Sequence, residues 1–488
     1  MWFPLAGKGG TALINSYPRL MLAAPKSGSG KTMMTCGLLN AFLLRKLSCR
    51  SFKCGPDYID PMFHKYVLGI DGGNLDTYFL DKEKVREQFL DQARGAGISV
   101  IEGVMGYYDG VGGDTTQASS YEVACALDAP VVLVLDCKGA SLSLAAVVKG
   151  FLEYKENSSI KGVILNRTSS VMAERLKPAI EELGVHVYGY LPECEEGALD
   201  SRHLGLILPG EQKGLKDQLN QLAMKLETTI DINGLIKLAQ EAKPLPSHKG
   251  GLKSQVSQTD QGEEVLIGMA LDEAFCFYYQ ENLRLLKEMG AKLIPFSPIH
   301  DKKLPPGING LLLGGGYPEL YCPELSENES MLRDIRQLSE RGLPIVAECG
   351  GFLYLHELLE TKDHKTYPMA GIIKGKAFPT ERLLRFGYFE AFPNADTQFL
   401  KVGESIRGHE FHYWDSTNNG ASMEAKKPGG RKSWGCVHGE GNLLAGFPHF
   451  YYPSNPALPK RFVEACKGLK DREKETMEQS LTRKGFKQ

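Results

Sequence analysis

Two short stretches of this 488-residue chain carry residue types that do chemistry. In the first, an apolar run, Leu20-Met-Leu-Ala-Ala, leads through Pro25 and Lys26 into Ser27-Gly28-Ser29-Gly30, and Lys31-Thr32 opens an apolar, helix-period run to Leu47. Small or absent side chains let backbone N–H groups close on phosphate oxygens, a lysine at position 31 then reaches the β- and γ-phosphates, and the Thr32 hydroxyl holds Mg²⁺. In the second, Leu343-Pro-Ile-Val-Ala-Glu348-Cys349-Gly350-Gly351-Phe sets a cysteine between a strand pattern and a helix pattern. Small residues just after the cysteine permit the sharp turn that exposes a nucleophile, and a helix N-terminus favours thiolate over thiol.

A cysteine nucleophile needs a base, and two segments offer one: Gly408-His409-Glu410-Phe411-His412-Tyr413 and Gly446-Phe-Pro-His449-Phe-Tyr451. A hydrolytic triad orients its histidine with a carboxylate, yet two residues after His449 stands Tyr451. Either another group orients this imidazole or the 409–412 loop contributes. The glycine loop after Gly310-Leu-Leu-Leu, with Gly315 and Gly316, has N–H groups that can stabilise an oxyanion.

The N-terminal half carries acids at the ends of strand patterns. Gly55-Pro-Asp57-Tyr58-Ile59-Asp60-Pro61 puts two carboxylates three residues apart on a rigid loop, which suits a ligand or metal and suits a solvated turn equally well. Ile98-Ser-Val-Ile-Glu102 ends in an acid at the strand tip, the better metal candidate, whereas Asp109 lies further out and faces substrate. Asp136 and Asn166 end two more apolar runs; Asn166 can read an adenine edge, and either residue can equally be a helix cap.

These residues need a frame. The runs Val131–Asp136, Gly162–Asn166 and His186–Gly189 alternate with helical patterns, which implies a mostly parallel sheet covered by helices, and Leu215–Ala242 reads as helices with polar faces. Residues 243–263 lose nearly all large apolar side chains and read as a linker. A second α/β pattern starts at Val265, with an amphipathic helix from Asp272 to Met289 and a strand at Lys292. The expected organisation is an extension over 1–18, a P-loop domain over 19–242, the linker, a second α/β domain over 264–453, and a charged tail over 454–488 read as exposed helix or disorder.

Composition removes several other classes. The chain is long enough for two or three domains, and a net charge of −2 with interspersed signs argues against nucleic acid or an anionic membrane surface. Eleven cysteines without Cys-x-x-Cys pairs fit reduced thiols in the cytoplasm. No apolar run approaches the ~20 residues of a membrane span, residues 1–18 lack a signal-peptide core, and an oligomer is compatible with everything here.

Together the motifs resemble the cobyrinate a,c-diamide synthase family of corrin-ring amidotransferases, from about Arg19 to Pro453. They run in the family's order: Ala24-Pro-Lys-Ser-Gly-Ser-Gly-Lys-Thr, Lys53-Cys-Gly-Pro-Asp-Tyr-Ile-Asp-Pro, Asn74-Leu-Asp-Thr, Glu102-Gly-Val-Met-Gly-Tyr-Tyr-Asp-Gly, Ile164-Leu-Asn-Arg, Arg202-His-Leu-Gly-Leu, Asp272-Glu-Ala-Phe-Cys-Phe-Tyr-Tyr, Gly315-Gly-Tyr-Pro-Glu, Glu348-Cys-Gly-Gly, Arg407-Gly-His-Glu-Phe-His-Tyr and Phe447-Pro-His. A standard phosphate loop has Gly where this chain has Pro25, a relaxation shared by the dethiobiotin-synthetase and partition-ATPase group, whose partition members carry a second lysine where Lys26 falls.

The resemblance implies an N-terminal ATP-dependent amide-forming domain of the dethiobiotin-synthetase type and a C-terminal class I glutamine amidotransferase domain. It implies that Cys349 attacks the amide of L-glutamine with His449 assisting, and that the freed ammonia passes to the other domain. There ATP with Mg²⁺ phosphorylates the a- and c-acetates of cobyrinate, and ammonia displaces phosphate. Thr32, Asp57 and Glu102 match metal contacts, Tyr58, Ile59, Asp60 and Asp109 match loops near the corrin, and Asn166 matches an adenine contact. The family shares the missing third carboxylate that Tyr451 marks. Sibling enzymes remain open, namely cobyric acid synthase and the nickel-sirohydrochlorin a,c-diamide synthase. So do, from other classes, a partition-type ATPase switch and a hydrolase using only the cysteine and histidine.

Overall fold

A computed structural model describes residues 17–193, 212–246, 264–430 and 432–485, with no account taken of the side chains of 212–213 and 473–485. Most of the 1–18 extension, much of the 243–263 linker and the Arg202 to Leu206 motif lie outside the described residues.

The N-terminal half is built on a seven-stranded sheet in the order β3-β2-β4-β1-β5-β6-β7, parallel throughout. Its strands are β1 (Arg19–Ala23), β2 (Cys49–Cys54), β3 (Gly72–Leu75), β4 (Ile98–Glu102), β5 (Val131–Asp136), β6 (Ile160–Asn166) and β7 (His186–Leu191). Helices cover both faces, so central strands read as unbroken apolar runs, and Leu20, Met21 and Leu22 of β1 are fully buried. The strand order reverses at β1. That opens a crevice at the carboxyl ends of β1, β4 and β5, where such sheets bind ligands.

Helix Lys31–Leu44 follows β1 and lies against helix Gln212–Thr229, with Gly37 at the contact: a Cβ there would meet Leu226 Cδ1 at 2.6 Å. Leu219, Leu222 and Leu226 are buried with Leu38, Leu39 and Phe42, so this helix belongs to the core of the half that the P-loop organises.

The C-terminal half centres on five parallel strands in the order β10-β8-β11-β13 and then Leu443–Gly446. These are β8 (Val265–Ala270), β10 (Ala291–Phe296), β11 (Gly310–Leu313) and β13 (Ile345–Glu348); between them lie the short β9 (Phe275–Phe277) and β12 (Gly315–Gly316). Antiparallel strands Arg385–Pro393, Ile406–His412 and His449–Phe450 form a second layer.

Two expectations need correction. The helix expected from Asp272 to Met289 spans only Gln280–Glu288, because Phe275–Phe277 is an extended strand paired with Gly315–Gly316. Here the aromatic run Phe-Cys-Phe follows strand alternation, and backbone pairing with the glycine loop outweighs helix periodicity. The charged tail is one helix, Ala457–Gly485, whose Leu458, Phe462, Cys466 and Leu469 are buried at spacings of 3 to 4 residues, with Val463 buried beside them. Its polar composition hid that apolar stripe.

The halves meet in a polar and aromatic interface. Glu281 Oε1 accepts from Asn74 N–H at 3.1 Å and Gln92 Nε2 at 3.0 Å, Tyr388 O–H donates to Asp76 at 2.7 Å, and Tyr451 O–H donates to Gln88 Oε1 at 2.7 Å. Arg407 Nη1 donates to Tyr78 O at 2.7 Å, and the Phe79 and Tyr451 rings stack at 4.6 Å. Tyr451, at the position where a triad carboxylate was missing, is therefore an interface residue.

Candidate active sites

The stretch from Ser27 to Gly30 turns from β1 into helix Lys31–Leu44 with Gly28 at φ 74° and Gly30 at φ 90°, conformations that glycine adopts without strain. Gly30 leaves no room for a Cβ, which would lie 2.3 Å from Asn166 Nδ2. That amide donates to Ser29 O at 2.9 Å, and Arg167, paired with Asp136, donates to Gly28 O at 3.1 Å. The tips of β5 and β6 thus hold the loop's shape. Asn166 keeps Oδ1 buried and unpartnered, while Asp136 serves Arg167 instead of capping a helix.

Lys31 is buried, and its Nζ donates to Met105 O at 2.6 Å across the loop after β4. Burial, reinforced by the Lys53 charge, lowers its pKa to about 8. An ammonium that costs this much to bury gains from an arriving phosphate.

Beside it lies a charged cluster that the sequence reading did not single out at its centre. Lys53 Nζ, fully buried in β2, ion-pairs with Asp60, with Glu102 Oε1 at 2.7 Å and with Asp57 Oδ2 at 3.8 Å. The clue was a lysine in an otherwise buried strand, which must find counter-charges. Attraction to these carboxylates holds the Lys53 pKa well above the lysine range despite burial. Asp60, which matches a loop near the corrin, is buried on Lys53, and its buried charge needs the lysine. Asp57 accepts from Ile59 N–H at 2.8 Å, and Ile59 opens helix Ile59–Leu68. Asp109 is exposed, with Oδ2 accepting from Gly106 N–H at 2.8 Å.

A divalent ion at this edge has a fitting donor set. Thr32 O–H donates to Glu102 Oε1 at 2.6 Å, and Glu102 Oε2 is buried without a partner. Among the described residues no three His, Cys, Asp or Glu side chains converge as a closed metal cage. Thr32 and Glu102, with Asp57 on the same Lys53, are hard oxygen donors of the kind that Mg²⁺ takes.

In the C-terminal half, Cys349 sits between β13 and the helix Gly350–Tyr354 at φ 48°, ψ −100°, outside the normal range for a residue with a Cβ. Its N–H donates to Gly446 O at 2.8 Å, and Gly351 N–H donates to Gly314 O at 2.9 Å. A Cβ on Gly350 would lie 2.9 Å from Gly316 N, and one on Gly315 would lie 2.5 Å from His449 Cε1. Cys349, His449 and the Gly315–Gly316 backbone therefore converge.

Burial works against the thiolate that the helix N-terminus favours. Burial, with Glu319 and Glu410 adding to it, pushes the Cys349 thiol well above the usual thiol range, because full desolvation outweighs the dipole of a five-residue helix. His449 is pushed down to about 3, again chiefly by burial.

His409 pairs directly with His449 in the sheet, so both lie on one face, and Glu410 falls on the other. There Glu410 accepts from Trp434 Nε1 at 3.3 Å and faces His412 at 3.5 Å, so the 409–412 loop gives His449 no carboxylate. Tyr58, which matches a loop near the corrin, has its ring at the interface, 5.0 Å from the His449 ring and 4.4 Å from that of Tyr279.

This architecture defines a class: a P-loop nucleotide-binding domain fused to a glutamine amidotransferase domain. Residues 20–206 match the CobQ/CobB/MinD/ParA nucleotide binding domain, and residues 266–457 match the CobB/CobQ-like glutamine amidotransferase domain. The chain belongs to the cobyrinate a,c-diamide synthase family. It is 40% identical over 91% of its length to the cobyrinate a,c-diamide synthase of Caldanaerobacter subterraneus, covering 98% of that protein. The proteins of the same name from Listeria innocua and Salmonella typhimurium are each 39% identical over 92% of this chain, covering 99% and 98% of their lengths.

Proposed function

We propose that this protein is an ATP- and glutamine-dependent ligase that converts the a- and c-acetate carboxylates of cobyrinate to amides, a step of cobalamin biosynthesis. The observation that carries the reading is the pairing of two sites across one interface. The acidic loop beside the phosphate loop runs from Asp57 directly into Tyr58, which packs on His449.

In the glutaminase site the Cys349 sulfur attacks the side-chain amide of glutamine, and His449 takes the thiol proton and delivers it to the departing nitrogen. The Gly315 and Gly316 N–H groups face the developing oxyanion. Water then cleaves the glutamyl thioester, and ammonia crosses to the other domain.

A carboxylate is a poor electrophile, so amide formation needs activation. Transfer of the γ-phosphoryl group gives an acyl phosphate, and ammonia displaces phosphate from it. Lys31 neutralises charge on the transferring group, Ser27, Gly28, Ser29 and Gly30 cradle the phosphates, and Asn166 Oδ1 offers an acceptor towards the nucleotide. Thr32, Glu102 and Asp57 would hold Mg²⁺, which would supply positive charge against that of the phosphates. Asp109 and Ile59, on the loops after β4 and β2, would contact the macrocycle, whereas Asp60 would serve it by fixing Lys53.

A partition-type switch would leave Cys349 and His449 without work, and a lone hydrolase would leave the P-loop without any. Mass spectrometry of products formed with ATP, Mg²⁺, glutamine and cobyrinic acid tests the reading. Two successive hydroxyl-to-amine mass changes and then a stop are expected. Two changes with nickel-sirohydrochlorin alone, or four with the adenosylated a,c-diamide, would move the protein to a sibling activity.

A further inference from the structure

The glutaminase site lacks a carboxylate after its histidine, because Tyr451 points across the interface to Gln88. The acid that faces the imidazole comes from the other side of the nucleophile. Glu348, the last residue of β13, directs Oε2 at His449 Nδ1 across 3.8 Å, and that nitrogen is buried with no hydrogen-bond partner. Both side chains are almost wholly enclosed, 11% and 4% exposed. Glu348 is itself held: its Oε1 accepts from Phe450 N–H at 3.4 Å, and the Tyr452 hydroxyl bonds its side chain.

We propose that Glu348 is the positioning carboxylate of the glutaminase site, receiving His449 Nδ1–H and stabilising the imidazolium that forms when Cys349 gives up its proton. The inference rests on the glutaminase reading of Cys349 and His449. The position has a geometric logic. Cys349 occupies a turn at φ 48°, so consecutive residues diverge, the thiol into the glutamine side and the Glu348 carboxylate behind the imidazole. A separation of 3.8 Å exceeds a hydrogen bond, and catalytic contacts of this kind tighten when substrate binds.

The surrounding charges agree. His409, paired with His449 in the sheet, and the more distant His412 disfavour its protonation, the Tyr58 ring packs on it, and the charges of Glu319 and Glu410 act on Cys349. Burial pushes Glu348 up to about 8 and His449 down to about 3. A lone charge on either is costly, and a carboxylate beside an imidazolium relieves both costs together. The thiol proton moves to the free imidazole nitrogen, the carboxylate balances the charge, and the proton leaves with ammonia.

The test is glutamine hydrolysis by Glu348→Gln and Glu348→Asp in the full-length protein, with ammonium-supported amidation by the other domain reporting that each variant is folded. For Glu348→Gln, kcat should fall by about 10²- to 10⁴-fold with little change in KM, in line with loss of a triad carboxylate. The parent's rate should rise with pH through about 8 as Glu348 ionises. Glu348→Gln should lack that limb and Glu348→Asp should keep it; a merely structural role would scale the profile without removing the limb. A Glu348→Gln variant with the parent's kcat, or with the limb intact, overturns the proposal alone. A parent that hydrolyses no glutamine overturns the glutaminase reading beneath it. Loss of ammonium-supported activity together with glutaminase would assign Glu348 to structure and also overturn the proposal.

Discussion

The ring of Tyr58, on the acidic loop after β2, lies 5.0 Å from the imidazole of His449 in the other half of the chain. Phe277 stacks on the same tyrosine at 5.7 Å and Tyr279 packs at 4.4 Å, and Tyr279 O–H donates to Pro56 O at 3.3 Å. Were the 55–61 loop to move as the nucleotide site fills, these packed rings would carry the movement to His449. Tyr58→Ala should raise the ratio of glutamine hydrolysed to amide formed several-fold, and Tyr58→Phe, which keeps the ring, should hold it near the parent value. Stoichiometry of glutamate and amide in one assay decides this; an unchanged ratio in Tyr58→Ala would remove Tyr58 from the coupling.

Cys349→Ser should lose glutamine-supported amidation by about 10³-fold or more. The same variant given ammonium should still form amide, since the nucleotide site lies in the other half. If both nitrogen sources fail in a folded variant, the thiol has a different role.

Lys31→Ala should abolish amidation from glutamine and from ammonium alike, because no other group reaches from helix Lys31–Leu44 to Met105 O at the phosphate edge. Product analysis with each nitrogen source checks this. Amide formation surviving in Lys31→Ala would take ATP out of the mechanism.

Lys53→Met removes the cation from among Asp57, Asp60 and Glu102. Leaving buried carboxylates uncompensated costs about 3–5 kcal/mol, so the melting temperature should fall by several degrees. Mg²⁺ should restore more of it in this variant than in the parent, since a divalent ion supplies the missing charge. Thermal unfolding with and without MgCl₂ reads both effects. An unchanged melting temperature would mean that the cluster does not depend on its lysine.

Much of the architecture was legible in the chain. The unbroken apolar run Leu20–Ala23 before Ser27–Lys31 reads as a buried strand feeding a phosphate loop, and β1 and the turn into helix Lys31–Leu44 are there. Glu348-Cys349-Gly350-Gly351 likewise announced a tight turn after a strand, and the turn is there. Local pattern misled where long-range pairing decided. Phe275–Phe277, read as the start of the helix to Met289, becomes a strand against Gly315–Gly316, and helix Ala457–Gly485 hides a buried stripe under charged neighbours.

The sequence by itself determined the two chemistries, because a phosphate loop and a nucleophile turn depend on neighbouring residues whose sizes and conformations are local. Only the tertiary structure decided which side chains face one another. Lys53 finds Glu102 across 49 positions, and Tyr451 finds Gln88 across 363. Glu348 adjoins Cys349 in the chain yet meets His449 from 101 residues away only because β13 and the Leu443–Gly446 strand pair in register, with Glu348 beside Gly446. Such pairings follow from packing the whole core, and no short stretch of residues encodes them.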